Sequence, residues 1–173
     1  MSSFTIRQYN SQDREQCRSL WKELTEWHRE IYEDPTIGGE HPEDSFDKHL
    51  NKVGPNNLWV AADDECVIGL TGLIVEEREA EIEPLIVSKA YRGRGVGKQL
   101  IAHIIDEARK RGIRNLNIKP VARNQQTIKF LYKQGFKTLG FIELFIDLSG
   151  HTWKSGICNE KTLRSMWHVF MKA

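Results

Sequence analysis

Residues 81–112 read EIEPLIVSKAYRGRGVGKQLIAHIIDEARKRG, a predicted strand followed by a glycine-rich loop and a helix. The helix is predicted because apolar residues recur on one face; they are Val96, Leu100, Ile101, Ile104, Ile105 and Ala108. Arg92, Arg94 and Lys98 crowd its first turn, where the helix dipole disfavours positive charge. A bound anion would remove this conflict, so the sequence predicts an anion site at the start of the helix.

The loop glycines, Gly93, Gly95 and Gly97, carry no Cβ, so backbone N–H groups can approach an anion closely. Two common phosphate loops do not fit their spacing. A P-loop needs glycine at position 92 and serine or threonine at position 99, where this chain has Arg92 and Gln99. A dinucleotide-binding fingerprint needs a third glycine where this chain has lysine or leucine.

The run Arg92-Gly93-Arg94-Gly95-Val96-Gly97 resembles the Arg/Gln-x-x-Gly-x-Gly/Ala pyrophosphate loop of the GCN5-related N-acetyltransferase (GNAT) superfamily. A second segment, NQQTIKFLYKQGF at 124–136, resembles the family's Asn…Phe-Tyr-x-x-Gly-Phe segment. It departs only at Leu131, where an aromatic residue is more usual. The resemblance covers about residues 57–140, and two motifs in this order favour the family more strongly than either alone.

The resemblance implies an α/β (α+β) fold with a mixed, mostly antiparallel central sheet, splayed at its middle and flanked by about four helices. From periodicity and turn signals, strands are predicted at 3–9, 58–62, 66–75, 80–88, 115–121 and 136–148. Besides the loop helix, helices are predicted at 11–33, with Ser11 as its cap, at 42–50 and at 124–134. Pro84 lies inside a predicted strand, which indicates a bulge or an edge because proline cannot donate to a ladder.

In the family the strand before the loop carries such a bulge, and the pantetheine arm of acetyl-CoA enters beside it. The resemblance therefore implies acetyl-CoA as cosubstrate, with the asparagine of the second segment contacting the pantetheine and the tyrosine approaching the sulfur. The predicted cofactor-binding residues are Ile86, Val87, Arg92, Gly93, Arg94, Gly95, Val96, Gly97, Lys98, Asn124 and Tyr132.

The implied chemistry is acyl transfer to a primary amine by direct attack in a ternary complex. An amine is mostly protonated at neutral pH and must lose a proton before it attacks. Tyr132 is the predicted acid for the departing thiolate, and a backbone N–H near Ile86 or Val87 is the predicted oxyanion donor. The predicted base is Glu81, which stands eleven positions before the loop motif as the glutamate of histone-acetylating members does. The alternative is Glu83, which lies on the same face by strand alternation.

Each of these assignments has a plainer alternative. A tyrosine on the apolar face of a helix is often a core residue, and glutamates at the start of a strand are often only solvated. For the protein as a whole, the alternative is a non-catalytic acyl-CoA-binding regulatory module with the same fold. Such a module would need neither Tyr132 nor Glu81.

Composition sets the remaining expectations. A length of 173 residues predicts one domain, which the resemblance places at 1–148, and the net charge of +1 predicts no nucleic acid and no membrane as partner. The tail at 149–173 carries an amphipathic helix that packs on the domain or on a second subunit, forming a homodimer. Three widely spaced cysteines predict reduced thiols, the histidines suggest no metal site, and the N-terminus has no signal-peptide pattern. We expect a cytoplasmic protein.

Acidic residues outnumber basic ones between His28 and Leu50. The acids are Glu30, Glu33, Asp34, Glu40, Glu43, Asp44 and Asp47, against Arg29 and Lys48. Because this region forms the substrate wall in the family, the excess favours a cationic small-molecule or peptide amine. An ordinary solvated helix face explains the same pattern equally well.

Overall fold

A computed structural model describes residues 4–64, 66–140 and 148 of the chain. These residues divide into two compact units. The first contains the residues up to Glu30 together with Asp34–Lys119, and the second contains Ile31–Glu33 and the described residues from Pro120 onward. No helix in the described ranges is long and apolar enough to cross a membrane.

Five strands form one open sheet in the first unit, in the order β1-β2-β3-β4-β5. They are β1 (Thr5–Gln8), β2 (Leu58–Asp63), β3 (Cys66–Glu76), β4 (Glu79–Val87) and β5 (Asn115–Ile118). The pairs from β1 to β4 are antiparallel, and β4 pairs with β5 in parallel. This confirms the predicted mixed, mostly antiparallel sheet.

The described residues form four helices: α1 (Arg14–Tyr32), α2 (Asp44–Val53), α3 (Val96–Lys110) and, in the second unit, α4 (Gln125–Lys133). The predicted cap at Ser11 is wrong. Asn10 caps a short 3₁₀ turn that leads into α1, because its side chain accepts the Gln12 N–H while the Asp13 carboxylate accepts the Asn10 N–H at 2.9 Å. The reciprocal bonds satisfy donors at the start of the helix.

Apolar side chains cover both faces of the sheet. One buried cluster combines α1, α2 and the strands, through Cys17, Leu20, Phe46, Leu58, Val60, Leu70 and Ile86. The other places α3 against the opposite face, through Ala61, Ile68, Val96 and Leu100. Burial of both faces fixes the register of each strand, because a slip by one residue would exchange the faces.

The sheet parts in the middle of β4. Pairing between β4 and β5 ends at Ile82 with Ile118, whereas β4 continues to Val87. On the other side, Leu85 pairs with Thr71 and Ile82 pairs with Leu73, so two residues of β4 oppose one of β3. The two are Glu83 and Pro84, joined by a cis peptide bond, and the one is Gly72. This bulge and the open edge beyond it confirm the predicted splay and accommodate the proline.

Two predicted strands differ from the described structure. The strand predicted at 115–121 ends at Ile118, because Pro120 has no N–H to continue a ladder. The strand predicted at 136–148 is wrong over 136–140, which is irregular and mostly exposed, with Leu139 43% accessible. A segment that buries no face gains little from pairing. Residues 141–147 and the predicted tail helix lie outside the described residues.

Candidate active site

The glycine loop leads directly into α3. Gly93 and Gly95 have φ values of 77° and 86°, in the left-handed region that favours glycine. Gly95 caps the helix without a side-chain hydrogen bond, and the first intrahelical bond runs from the Gln99 N–H to the Gly95 carbonyl at 3.1 Å. Helix geometry therefore leaves the N–H groups of Val96, Gly97 and Lys98 without an intrahelical acceptor. An anion at this end would receive them.

The cations around the loop differ in their contacts. The Arg92 guanidinium donates from Nε to the Val87 carbonyl at 3.1 Å and lies 5.2 Å from the ring centre of Trp27. Arg94 stacks on Tyr91 at 5.0 Å and is exposed, as is Lys98. Arg92 thus joins the loop to α1, while Arg94 and Lys98 face solvent around the start of α3.

A carboxylate of α1 anchors the junction between β4 and the loop. Glu23 accepts the Lys89 N–H through Oε1 and the Ser88 hydroxyl through Oε2, the latter at 3.2 Å. Arg92 Nη2 lies 3.7 Å from Glu23 Oε1. Sequence reasoning missed this anchor because Glu23 lies 66 residues before Lys89.

The open edge of β4 presents particular backbone groups. The Ser88 N–H points toward β3, because it donates to the Ile68 carbonyl at 2.9 Å. Successive backbone N–H groups of a strand point to opposite sides, so the Ile86 N–H also points toward β3. The N–H groups of Leu85 and Val87 therefore point toward the open edge. Of the two predicted oxyanion donors, Val87 has the suitable direction and Ile86 does not.

The two candidate bases have different partners. Glu81 Oε2 lies 2.6 Å from Lys119 Nζ, in an ion pair across β4 and β5. The Glu83 carbonyl oxygen lies 2.9 Å from His49 Nε2, and the Glu83 carboxylate oxygen Oε1 lies 3.9 Å from His49 Nδ1. Both carboxylates belong to the face of the sheet that carries α1 and α2. Glu81 pairs with Ile74, which lies two residues from Gly72 and therefore on the same face. A Cβ at Gly72 would point at Leu58, which belongs to the cluster on that face.

His49 is a buried residue that sequence reasoning did not single out. It is 6% exposed and packs on Trp21, with ring centres 5.2 Å apart. Because a carbonyl only accepts, the contact with the Glu83 carbonyl places a proton on Nε2. Burial lowers the pKa of His49 below its ordinary value of 6.5, so the ring is neutral at pH 7 and Nδ1 carries a lone pair.

The second unit holds the other motif. Asn124 caps α4, with Oδ1 accepting the Thr127 N–H at 3.0 Å, so a pantetheine contact would fall to its amide NH₂ group. Ile128 and Leu131 are buried at 6% and 3% exposure, whereas Tyr132 is only partly buried. Lys137 Nζ lies 5.9 Å from the centre of the Tyr132 ring.

The predicted site residues thus form two groups. Those on β4, the loop and α3 share the first unit, and Asn124 and Tyr132 share the second. No cluster of three or more His, Cys, Asp or Glu residues in the described ranges is arranged to hold a metal ion. Of the cysteines in those ranges, Cys66 is exposed, and burial raises the pKa of Cys17 to about 12, which makes it an unreactive thiol.

A family model described as the acetyltransferase (GNAT) family matches residues 21–136, more than half of the chain. The chain belongs to this family. Membership confirms the resemblance carried by the two motifs, both of which lie within the matched range, and it supports the prediction of an N-acetyltransferase.

Individual relatives of this GNAT-family chain are more distant. An uncharacterised N-acetyltransferase of Methanocaldococcus jannaschii is 39% identical over 64 residues, which span 36% of this chain but only 28% of that protein. A PaiA N-acetyltransferase from Thermoplasma acidophilum, solved with coenzyme A, is 23% identical with a TM-score of 0.65 over 80% of this chain and 94% of its own. A transcriptional regulator from Bacillus halodurans C-125 is 25% identical with a TM-score of 0.62 over 83% and 100%.

Proposed function

We propose that the protein is an acetyl-CoA-dependent N-acetyltransferase that transfers an acetyl group to a primary amine by direct attack in a ternary complex. The observation that carries the proposal is one continuous run of chain, in which the open edge of β4 leads through a left-handed glycine loop to the start of α3. Such a run suits an extended ligand with a phosphate at one end.

The residues present fit coenzyme A at this place. The first N–H groups of α3 and the exposed Arg94 and Lys98 suit a pyrophosphate. The N–H groups of Leu85 and Val87 suit an arm that pairs along β4. The coenzyme A bound to the Thermoplasma relative supports the same ligand class. When bound, acetyl-CoA supplies an acetyl group activated as a thioester.

The chain's own groups then divide the remaining work. A carboxylate of β4, Glu81 or Glu83, accepts the proton that the attacking amine must lose. Of the N–H groups that point to the open edge, that of Leu85 lies nearer to Glu81 and Glu83 than that of Val87. The Leu85 N–H donates to the carbonyl oxygen as it gains negative charge, a role in which a fixed donor contributes most. The Tyr132 hydroxyl donates a proton to the departing sulfur, on the strength of the family resemblance.

The proposed substrate is an amine. The preference for a cationic amine depends on how many acidic residues between His28 and Leu50 are left without an arginine partner. Asp44 accepts from Arg18 at 2.7 Å, and Asp47 accepts from Arg14 at 2.8 Å and also from Arg18. These pairs reduce the acidic excess counted in the sequence. The support that this region gives to a cationic substrate is correspondingly smaller.

Replacing Gly95 tests the central step. Space is open around a Cβ at this position, and asparagine and aspartate tolerate its left-handed φ of 86° better than other residues do. Gly95→Asp should abolish acetyl-CoA binding in calorimetry, because its carboxylate enters the anion seat. Gly95→Asn has the same size without the charge, so it should bind acetyl-CoA more tightly than Gly95→Asp does, although its Cβ also restricts the approach of the anion. Equal affinity of the two folded variants would contradict the proposed seat.

The alternative is a regulatory module that binds acyl-CoA without turnover, which the similarity to the Bacillus transcriptional regulator favours. Release of the coenzyme A thiol with a panel of polyamines, aminoglycosides, amino acids and peptides separates the two functions. The enzyme should release thiol with at least one amine of this panel. Binding of acetyl-CoA without release in any mixture would favour the regulatory module.

A further inference from the structure

Lys119 lies where the sheet parts. It directly follows Ile118, the last residue of β5 that pairs with β4, and its Nζ lies 2.6 Å from Glu81 Oε2. Its side chain is 70% exposed, and that of Glu81 is 23% exposed. The structure therefore already holds an amine within hydrogen-bond reach of one of the two proposed bases.

We propose that the protein acetylates its own Lys119. The inference rests on the proposed function, since the acetyl donor is the same thioester. Glu81 takes a proton from the Lys119 ammonium, and the freed nitrogen forms a bond to the acetyl carbon as the bond from that carbon to sulfur breaks. The nitrogen then loses its second proton, the sulfur takes up one proton, and the coenzyme A thiol leaves. Lys119 becomes a neutral amide and loses its ion pair with Glu81.

The direction of the open edge supports this acceptor. An arm held by its phosphates at the glycine loop and laid along β4 runs from Val87 back toward Glu83. That span is about 13 Å for four residue-to-residue steps along the strand, and it ends beside the last pair of β4 with β5. Lys119 is the residue that follows this pair.

The ion pair does not prevent the reaction. Ion pairs with an exposed ammonium add little to stability because solvent screens them, so breaking the contact between Lys119 and Glu81 costs little. A carboxylate next to an ammonium also holds the nitrogen in place until the proton moves. Glu81 would thereby orient the amine and accept its proton.

The chain offers a matched control in Lys110. Its Nζ lies 2.7 Å from Glu107 Oε1 and its side chain is 71% exposed, nearly the same contact and exposure as for Lys119. It stands at the last residue of α3, a 15-residue helix, and so lies about 20 Å along the helix axis from the glycine loop. Uncatalysed acetylation should label both lysines at similar rates.

The experiment uses the full chain with ¹³C-labelled acetyl-CoA and measures initial labelling of each lysine by peptide mass spectrometry. Lys119 should be labelled more than tenfold faster than Lys110, with a first-order rate that does not change on dilution. Glu81→Gln should lower the Lys119 rate at least tenfold and leave the Lys110 rate unchanged. Uncatalysed labelling predicts the opposite sign for this variant, because removal of an anion from beside an ammonium favours loss of its proton.

Equal rates at the two lysines, a rate at Lys119 that falls on dilution, or an unchanged or increased Lys119 rate in Glu81→Gln would each overturn the inference. If the same preparation releases coenzyme A thiol with an added amine, the proposed function stands and only self-acetylation fails. If it neither releases thiol nor labels Lys119, both fail together.

Discussion

Gly72 faces the bulge of β4, and adding one methyl group there tests how tightly the bulge is held. A Cβ at this position would lie 2.5 Å from Leu58 Cδ2, 2.7 Å from the Glu83 carbonyl oxygen and 3.1 Å from the Asn57 carbonyl oxygen. Leu58 is fully buried, and the two oxygens belong to the backbone. None of the three can move away without a shift of the surrounding chain.

The expected cost follows from these contacts. Inserting a methyl group into a packed interior costs about 1–3 kcal/mol, and backbone neighbours place Gly72→Ala in the upper half of that range. The lower conformational entropy of alanine in the unfolded chain returns roughly 0.5–1 kcal/mol. We therefore expect a net loss of about 1–2 kcal/mol in the free energy of unfolding. For a chain of 173 residues this lowers the melting temperature by about 2–8 °C.

The same shift should change catalysis in a specific way. The Glu83 carbonyl that would be displaced also contacts His49, so the bulge and the N–H groups after it move together. The glycine loop lies outside the clash. Gly72→Ala should thus lower kcat by a larger factor than it raises the dissociation constant of acetyl-CoA, because the N–H groups at the start of α3 do not move.

Denaturant unfolding and steady-state kinetics measure both effects, with Gly140→Ala as the control. A Cβ at Gly140 would meet nothing within 4 Å, and Gly140 does not have a left-handed φ. The free energy of unfolding of Gly140→Ala should therefore stay within about 0.5 kcal/mol of that of the parent protein. If Gly72→Ala is as stable and as active as Gly140→Ala, the bulge is not held as we describe.

Three further predictions concern the anchor, the acid and the buried histidines. Glu23→Gln should raise the dissociation constant of acetyl-CoA about fivefold, or about 1 kcal/mol, with kcat nearly unchanged, because charged acceptors strengthen hydrogen bonds to the loop; a loss in kcat alone would contradict this positioning role. Tyr132→Phe should slow single turnovers by roughly 10²–10⁴ without weakening acetyl-CoA binding, and a normal rate would make Tyr132 a packing residue. Burial lowers the pKa of His28, His49 and His103 below the ordinary 6.5. Because the unfolded chain then binds more protons than the folded chain, the free energy of unfolding should fall as the pH drops below about 6.5. Unfolding curves that do not change between pH 7 and 5 would refute this prediction.

The elements that the sequence predicted best are those set by local patterns. Five of the six apolar positions assigned to the loop helix are buried, from Val96 at 1% exposure to Ala108 at 3%. Pro84 predicted a bulge or an edge, because proline cannot donate within a ladder, and the family resemblance implied the bulge. Helical periodicity and the missing N–H group of proline can both be recognised from a few neighbouring residues.

The contacts that the sequence did not predict join residues that lie far apart in the chain. His49 meets Glu83 across 34 positions, Lys119 meets Glu81 across 38, and Glu23 meets Lys89 across 66. Each depends on how a helix or strand lies against β4, which no local pattern encodes. The same holds for the acidic residues of α2, because Asp44 and Asp47 form ion pairs with arginines of α1.

These long-range contacts give the two glutamates of β4 different properties. Glu81 is paired with an ammonium at 2.6 Å, so an incoming cationic amine meets a carboxylate whose charge is already compensated. Glu83 faces His49, which is neutral at pH 7 because burial lowers its pKa, and whose Nδ1 presents a lone pair 3.9 Å away. When Glu83 removes a proton from an amine, its protonated carboxyl can therefore donate a hydrogen bond to His49 Nδ1. On this geometry Glu83 is the better base for an added amine, whereas Glu81 serves the amine already beside it.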